Sequence, residues 1–225
     1  MTESTAPPST PVRVTARLDT ELSPWLWLVK WILAIPHAIV LFFLWIAFIV
    51  LSVVALFAIL FTGRYPRAIF DFNLGVLRWS WRVGYYSYGA LGTDRYPPFS
   101  LAEVADYPAT LDIAYPEQLS RGLVLVKWWL LAIPHYLVIG FFVGAGASRG
   151  LNWGSSTVGY GGLVTLLVVI AGFFLLFTRK YPPSIFGLVI GMNRWVLRVA
   201  AYAALMTDVY PPFRLDLGGD EPAEQ

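Results

Sequence analysis

The sequence predicts an all-α polytopic membrane protein, and three observations support this fold class. Hydrophobic residues make up 57% of the 225 positions and charged residues only 13%, whereas a soluble domain is about a quarter charged. The apolar residues are also clustered: residues 25–62 carry a single charge, Lys30, and residues 157–178 carry none. Such runs are typical of membrane helices and disfavour the alternative of a very apolar soluble core. Finally, one unit of motifs occurs twice along the chain.

The repeat is defined by four motifs that recur in the same order. Residues 33–37 match 131–135, 61–66 match 177–182, 78–82 match 194–198, and 93–99 match 207–213. Internal similarity of this kind indicates duplicated structural units. We expect a disordered N-terminal tail at 1–11, repeat 1 at 12–101, a linker at 102–108, repeat 2 at 109–215 and a disordered C-terminal tail at 216–225.

Each repeat is predicted to contain the same elements. It opens with a stretch that alternates with period two, which favours a short extended or β segment at the cytoplasmic face. A membrane helical hairpin should follow. The unit then continues with an amphipathic helix rich in arginine and tryptophan, at about 67–91 and 184–206, which is expected to lie in the headgroup layer.

The hairpin is better supported in repeat 2 than in repeat 1. A polar loop at 149–156 divides 122–147 from 157–178, and both pieces are long enough to cross a bilayer. Repeat 1 has no such loop, so residues 25–62 either fold back near 46–52 or form a straight span from about His37 after an interfacial helix. The sidedness of lysine and arginine favours two hairpins in the plasma membrane, with both termini cytoplasmic.

Two arginine pairs are the first candidate site. Arg78 and Arg82 stand four residues apart, as do Arg194 and Arg198, and Trp79 and Trp195 lie beside them. Tryptophan prefers the membrane interface and arginine can bind phosphate bidentately, so the favoured interpretation is lipid-headgroup binding. The alternatives are internal pairing with acids, for which Asp71 is one candidate, and a dedicated substrate site.

The remaining motif residues are candidates for a second kind of site. The only histidines, His37 and His135, each follow a proline, Pro36 and Pro134, that should kink or break a helix. A paired metal or haem site is the alternative to a structural role, which is favoured, so no metal or cofactor is expected. The repeats close on Asp94 and Asp208, interpreted as turn residues, followed by stiff segments with the residues Tyr96, Pro97, Pro98, Phe99, Tyr210, Pro211, Pro212 and Phe213.

Together these motifs resemble an uncharacterised prokaryotic membrane family, the domain of unknown function 4389 (DUF4389), in two tandem copies. The resemblance runs from about Val12 to Leu215, although repeat 2 has Gly187 where repeat 1 has Asp71. It implies the architecture and leaves the activity open.

The predicted function is that of a non-enzymatic accessory or scaffold subunit. Its expected partners are anionic membrane lipids and a larger membrane complex or a second copy of the chain, with no nucleic acid. No nucleophile, phosphate-loop or metalloprotease motif is present, and the chain has no cysteine. The alternatives are a small lipid or solute transporter that would use Lys30, His37, Lys127 and His135, and a redox or metal protein that would use the two histidines.

Overall fold

The computed structural model describes residues 11–144 and 162–218, and it is mostly helical, as the composition predicts. The helices are α1 (Lys30–Thr62), α2 (Arg67–Tyr86), α3 (Leu123–Val126), α4 (Ile133–Val143), α5 (Leu163–Thr178) and α6 (Pro183–Ala203). A 3-10 turn, Leu26–Leu28, precedes α1, and a π-helical turn, Lys127–Leu131, joins α3 to α4. The two alternating stretches form the strands β1 (Val12–Ala16) and β2 (Ala109–Ile113), which confirms the predicted β segments, and the two strands pair in a small sheet.

The apolar segment of repeat 1 is one continuous helix, so the predicted fold-back near 46–52 is wrong. Helix α1 has 33 residues and is therefore about 50 Å long. Ser52 is the only polar residue in that stretch, and in apolar surroundings the helix keeps every backbone group bonded where a turn would not. Pro36 lies inside the helix without ending it, and α1 stops only at Gly63, which adopts a left-handed φ of 73°.

Repeat 2 has no hairpin between its two apolar helices either. Lys127, just before α4, bonds to Thr207 beyond the end of α6, while α5 leads through a four-residue turn into the start of α6. Both helices therefore run antiparallel to α6 and in the same direction as each other. Gly162, at the start of α5, lies against the carbonyl of Phe142 at the end of α4. The two helices are stacked end to end as the counterpart of α1. The polar loop at 149–156 lies outside the described residues.

The two halves hold each other by reciprocal contacts. Strands β1 and β2 pair antiparallel with Val14 opposite Leu111 at the centre. The Nε of Arg78 donates to the Leu111 carbonyl, and the Nε of Arg194 donates to the Val14 carbonyl. The same exchange is made by two tyrosines, as Tyr65 donates to Ala204 and Tyr181 donates to Ala90. Each half thus supplies the partner that the other needs, about an approximate two-fold axis through the sheet.

The molecule is layered along that axis. Helix α1 packs on α2, and α2 packs on β2; α4 and α5 pack on α6, and α6 packs on β1. Trp27, just before α1, packs against Phe173 near the end of α5, while Leu119, before α3, donates its amide to the Gly63 carbonyl at the end of α1. Helix α1 therefore runs opposite to the α4–α5 stack, and these helices form one outer layer while the sheet forms the other.

Burial of a tyrosine hydroxyl strengthens one of these contacts. Burial raises the pKa of Tyr65 to about 12. The hydroxyl is protonated at physiological pH, as an ordinary tyrosine is too, and it donates to the Ala204 carbonyl. Its oxygen also accepts a hydrogen bond of 2.9 Å from Asn73 in α2, so it links the two halves at the turn between α1 and α2.

Arg179 ends α5 in the left-handed region, with a φ of 57°, where repeat 1 has Gly63. A residue with a β-carbon is disfavoured by about 1–2 kcal/mol in that conformation, although glycine loses more entropy on folding. We expect Arg179→Gly to raise the free energy of unfolding by about 1 kcal/mol, measured by denaturant titration in detergent. Lys180→Gly removes the same charge at a residue without positive φ and should give no gain. An Arg179→Gly protein no more stable than the parent would contradict this account.

Candidate functional site

Several motif residues of repeat 1 meet in one place, here named the first motif cluster: Lys30, His37, Trp79, Asp94, Tyr96 and Phe99. The ammonium of Lys30 lies 2.8 Å from Asp94 Oδ1 and donates to the Thr93 carbonyl at 2.6 Å. The other carboxylate oxygen of Asp94 accepts the Ser23 amide at 2.5 Å. The Lys30 side chain is only 2% exposed, so a buried positive charge is neutralised by a carboxylate that is itself hydrogen bonded.

His37 occupies the aromatic side of this cluster and is fully buried. Trp79 Nε1 donates to His37 Nδ1 at 3.1 Å, which requires the neutral imidazole with its proton on Nε2. The ring stacks on Phe99 at 4.0 Å between centroids and lies 4.8 Å from Tyr96. Among the described residues His37 Nε2 has no hydrogen-bond partner. The ring is held by one hydrogen bond and by aromatic packing.

Repeat 2 builds the same arrangement, the second motif cluster: Lys127, His135, Trp195, Asp208, Tyr210 and Phe213. Lys127 lies 2.7 Å from Asp208 Oδ1 and donates to the Thr207 carbonyl at 3.0 Å. Trp195 Nε1 donates to His135 Nδ1 at 3.0 Å, and the imidazole stacks on Phe213 at 4.2 Å. The geometry is thus duplicated group by group.

A π-helical turn keeps the second cluster in register. Lys30 and His37 are seven residues apart, whereas Lys127 and His135 are eight apart. The turn Lys127–Leu131 is π-helical, and a π-bulge accommodates one extra residue in a helix. The insertion is therefore absorbed locally, and Lys127 still reaches Asp208.

The clusters connect the segments that follow α2 and α6 to the chain near the start of α1 and of α4. The hydroxyl of Tyr96 donates to the Leu33 carbonyl at 3.2 Å, and that of Tyr210 donates to the Leu131 carbonyl at the same distance. Prolines at 97, 98, 211 and 212 keep these segments extended. Sequence reasoning grouped these residues as motifs and treated Asp94 and Asp208 as turn residues, without pairing them with the lysines.

The histidines do not form the shared site that a two-imidazole metal or haem centre would need. The two clusters have no residue in common. They lie at opposite ends of the layer of long helices, because α1 and the α4–α5 stack run in opposite directions. His37 and His135 are each enclosed by the aromatic rings of their own repeat.

The arginine pair of repeat 1 binds protein groups on the sheet side of α2. Arg78 lies 2.8 Å from Asp112 Oδ1 and donates to the Leu111 carbonyl at 2.8 Å. Arg82 donates to the carbonyl of Ala102 at 2.9 Å and to that of Ser100. Asp71, considered as a partner for this pair, instead forms an exposed ion pair with Arg67.

The pair of repeat 2 is buried still more deeply. Arg194 is 0% exposed and joins the Val14 carbonyl, at 3.1 Å, to the Asp216 carbonyl, at 2.5 Å. Arg198 is 4% exposed and forms an ion pair of 2.5 Å with the Asp216 carboxylate. Arg82, Arg194 and Arg198 are all buried against protein acceptors, which favours internal pairing over headgroup binding for these residues. Trp79 and Trp195 likewise hydrogen bond to the histidines.

Two basic pockets at the ends of the long helices were not singled out from the sequence. One, of about 400 Å³, is lined by Thr62, Gly63, Arg64, Gln118, Leu119 and Arg121. The other, of about 480 Å³, lies at the equivalent turn of repeat 2 and is lined by residues 18–20, Leu22 and residues of the segment 174–183, among them Arg179 and Lys180. Its lining also includes the Asp19 carboxylate, which accepts a hydrogen bond from the Thr93 hydroxyl. The signal in the sequence was the basic residues close after each apolar run, Arg64 in repeat 1 and Arg179 with Lys180 in repeat 2, next to a tyrosine–proline turn.

These features define the class of the molecule. Helices α1 and α6 are long and apolar enough to cross a membrane, and the bent unit of Leu123–Leu131 with Ile133–Val143 adds a third candidate span by length and composition. They indicate a membrane-associated helical protein with an internal duplication.

The chain belongs to the family described as domain of unknown function (DUF4389). The family profile matches residues 25–100 and 158–214, which together cover more than half of the chain. The two segments are consistent with tandem copies and confirm the resemblance. No curated protein and no solved structure matches the chain.

Proposed function

We propose that the protein is a membrane-embedded accessory or scaffold protein that lays its long helices along the membrane and presents its sheet layer to water. The observation that carries the proposal is the outer face of α1. This helix has a mean hydropathy of 3.1 over its most apolar window, yet only 17% of that window is buried within the protein. Exposed apolar surface of this extent needs an apolar environment, which a bilayer supplies.

The exposed face continues onto the second long unit. On α1 the exposed side chains include Ile39, Phe43, Val50, Phe57 and Phe61, and on α4 and α5 they include Leu137, Phe141, Phe173 and Phe177. All are apolar. The outer face of the long helices is therefore apolar on both units, and lipid acyl chains are the surroundings that suit it.

The position of the sheet decides how this layer is oriented. Trp45, near the middle of α1, donates to Ser80 of α2 at 3.1 Å, and two residues away Arg78 binds Leu111 of the sheet. The sheet therefore lies at mid-length of α1, and it carries the exposed charged residues Arg13 and Asp112.

If α1 stood upright across the bilayer, these charges would lie at the depth of the bilayer centre. Each arginine, lysine or aspartate there costs at least about 2.5–3.5 kcal/mol. With the long helices parallel to the membrane, the same charges lie in water. The first and last residues that the structure describes, near Val12 and Asp216, and the linker near Glu103 all belong to the sheet layer. This arrangement supports the prediction that both termini and the linker share one side.

Spin-label depth measurements test the orientation directly, and the chain has no cysteine to remove first. Ile39→Cys, Val50→Cys and Phe61→Cys lie on one helical face, because 11 residues are about three turns. In lipid vesicles, collision with oxygen and with a water-soluble nickel complex should give the same depth at all three positions. Arg13→Cys should be open to the nickel complex. A profile with Val50 at the bilayer centre and the other two near opposite surfaces would reject the proposal.

The scaffold role has its own test. A tagged protein solubilised with its native lipid should copurify with a stable, stoichiometric membrane partner or as a homo-oligomer. An exposed multiple substitution on the sheet layer that includes Arg13→Glu and Arg95→Glu should release that partner, because this layer is the face left in water. A protein recovered as a monomer without partners in mild detergent would count against the role.

A further inference from the structure

We propose that the two basic pockets at the ends of α1 and α5 each bind the phosphate of an anionic phospholipid headgroup. This inference rests on the proposed membrane placement and names the lipid class and the site. The cations concerned are Arg64 and Arg121 in the first pocket and Arg179 and Lys180 in the second. We assign to these cations the lipid-binding role that the sequence suggested for the arginines of α2 and α6, because the latter are bonded to groups of the protein.

The cations of the pockets are exposed and available. Arg64, Arg121, Arg179 and Lys180 are all exposed, and within the described part of the chain their side-chain nitrogens take part in no ion pair. In contrast, Lys30 and Lys127 are neutralised by Asp94 and Asp208. The charges at the pockets are thus basic groups that a phosphate can reach.

Each pocket also borders exposed apolar surface. Phe61, beside the first pocket, is 72% exposed, and Phe177, beside the second, is 80% exposed. Phe174 lines the second pocket itself. A ligand with a phosphate next to acyl chains matches two cations next to phenylalanine rings, whereas a free inorganic anion leaves the rings uncovered.

The strongest support is that the pockets keep two cations by different means. Position 63 is glycine in repeat 1, and the equivalent position 179 is arginine in repeat 2. Conversely, Arg121 in the lead-in to repeat 2 corresponds to Pro24 in the lead-in to repeat 1. Arg121 reaches across to the turn of the opposite repeat, where its Nε would lie 3.5 Å from a β-carbon built on Gly63. Each pocket therefore has two cations. Arg64 and Lys180 are equivalent in the two repeats, whereas Arg121 and Arg179 come from different positions of the repeat.

Arg179 holds its place against a local conformational preference. It has a left-handed φ of 57°, where glycine would be unstrained. Strained backbone that the surrounding structure maintains is common at ligand sites. A guanidinium also binds phosphate bidentately, which a lysine cannot do.

Native mass spectrometry in detergent, with added phosphatidylglycerol, tests the sites one at a time. The parent protein should retain two phosphatidylglycerol molecules. Arg64→Gln with Arg121→Gln should retain one, and so should Arg179→Gln with Lys180→Gln, each with an affinity at the altered site at least tenfold lower. The matched control is Arg13→Gln with Arg95→Gln, which removes two exposed charges outside the pockets and should retain both lipids.

Further arms separate the sources of the effect. Arg64→Lys with Arg121→Lys should keep part of the affinity, because the charge remains while the bidentate geometry is lost. The proposal fails if the control loses as much lipid as the pocket variants, if millimolar inorganic phosphate displaces the lipid as well as excess phosphatidylglycerol does, or if the pocket variants lose stability without losing lipid. Insertion into phosphatidylcholine vesicles should be unchanged in every variant. Because lipid binding is measured in detergent, the binding test can succeed or fail independently of the proposed membrane orientation.

Discussion

Asp94→Ala should lower the free energy of unfolding by about 3–5 kcal/mol, because it leaves the Lys30 ammonium buried without a counter-ion. The lysine side chain is 2% exposed, and its remaining contacts include the Thr93 carbonyl at 2.6 Å and the Tyr86 ring, whose centroid lies 4.9 Å from the ammonium. The substitution also removes the acceptor of the Ser23 amide. Denaturant titration in detergent, followed by tryptophan fluorescence, measures the loss.

Two control variants use the Lys30–Asp94 ion pair and its counterpart in repeat 2. Lys30→Met with Asp94→Asn removes the buried charge together with its partner and should recover more than half of the loss, since replacing a buried pair with uncharged groups is often near neutral. Asp208→Ala should repeat the effect at Lys127, which lies 2.7 Å from Asp208. A cost below about 1 kcal/mol for Asp94→Ala would show that the pair behaves like an exposed one.

Arg194→Ala should have the second large effect, again about 3–5 kcal/mol. Its guanidinium is 0% exposed and joins β1, through Val14, to the chain segment at Asp216. Removing the guanidinium leaves both carbonyls without this donor and opens a cavity between α6 and the sheet. The matched variant is Arg78→Ala, whose side chain is 17% exposed and binds the opposite strand. That variant should cost less, because water can reach the groups it leaves.

Arg194→Lys distinguishes geometry from charge. A lysine keeps the charge but cannot donate along two directions from a planar group. We expect it to recover less than half of the loss. A lysine variant as stable as the parent would show that the charge alone matters at this position.

The sequence allowed the periodic elements and the repeats to be predicted, but not the direction in which successive apolar helices run. Period-two alternation around Val14 and Leu111 predicted both strands, and the long apolar runs predicted membrane helices. The course of the chain between those helices depends on tertiary contacts. The polar residues at 149–156 are equally compatible with a reversal and with an insertion, and only the contacts of Lys127 and Gly162 distinguish the two.

The candidate sites show the same limit. Arg194 beside Trp195 is a typical interfacial pattern, yet the acceptors that bury it are Val14 and Asp216, one far away in sequence and the other in the segment assigned to a tail. The pairing of Lys30 with Asp94 spans 64 positions, so no local spacing reveals it. Arg64 and Lys180 were visible as basic residues after apolar runs, but the pockets exist only because each turn packs against the lead-in of the other repeat.

The exchange of partners between halves constrains how the chain can be made. When repeat 1 has left the ribosome, β1 has no partner strand and Arg78 has no carbonyl to bind, because both come from β2. The first half must wait, with its sheet side unfinished, until residues 109–113 emerge. Val14 then waits further for Arg194, near the end of synthesis. The sheet side of the protein is therefore completed only late in synthesis, and a chain truncated after its first repeat should be recognised by the quality-control machinery of the cell as incomplete.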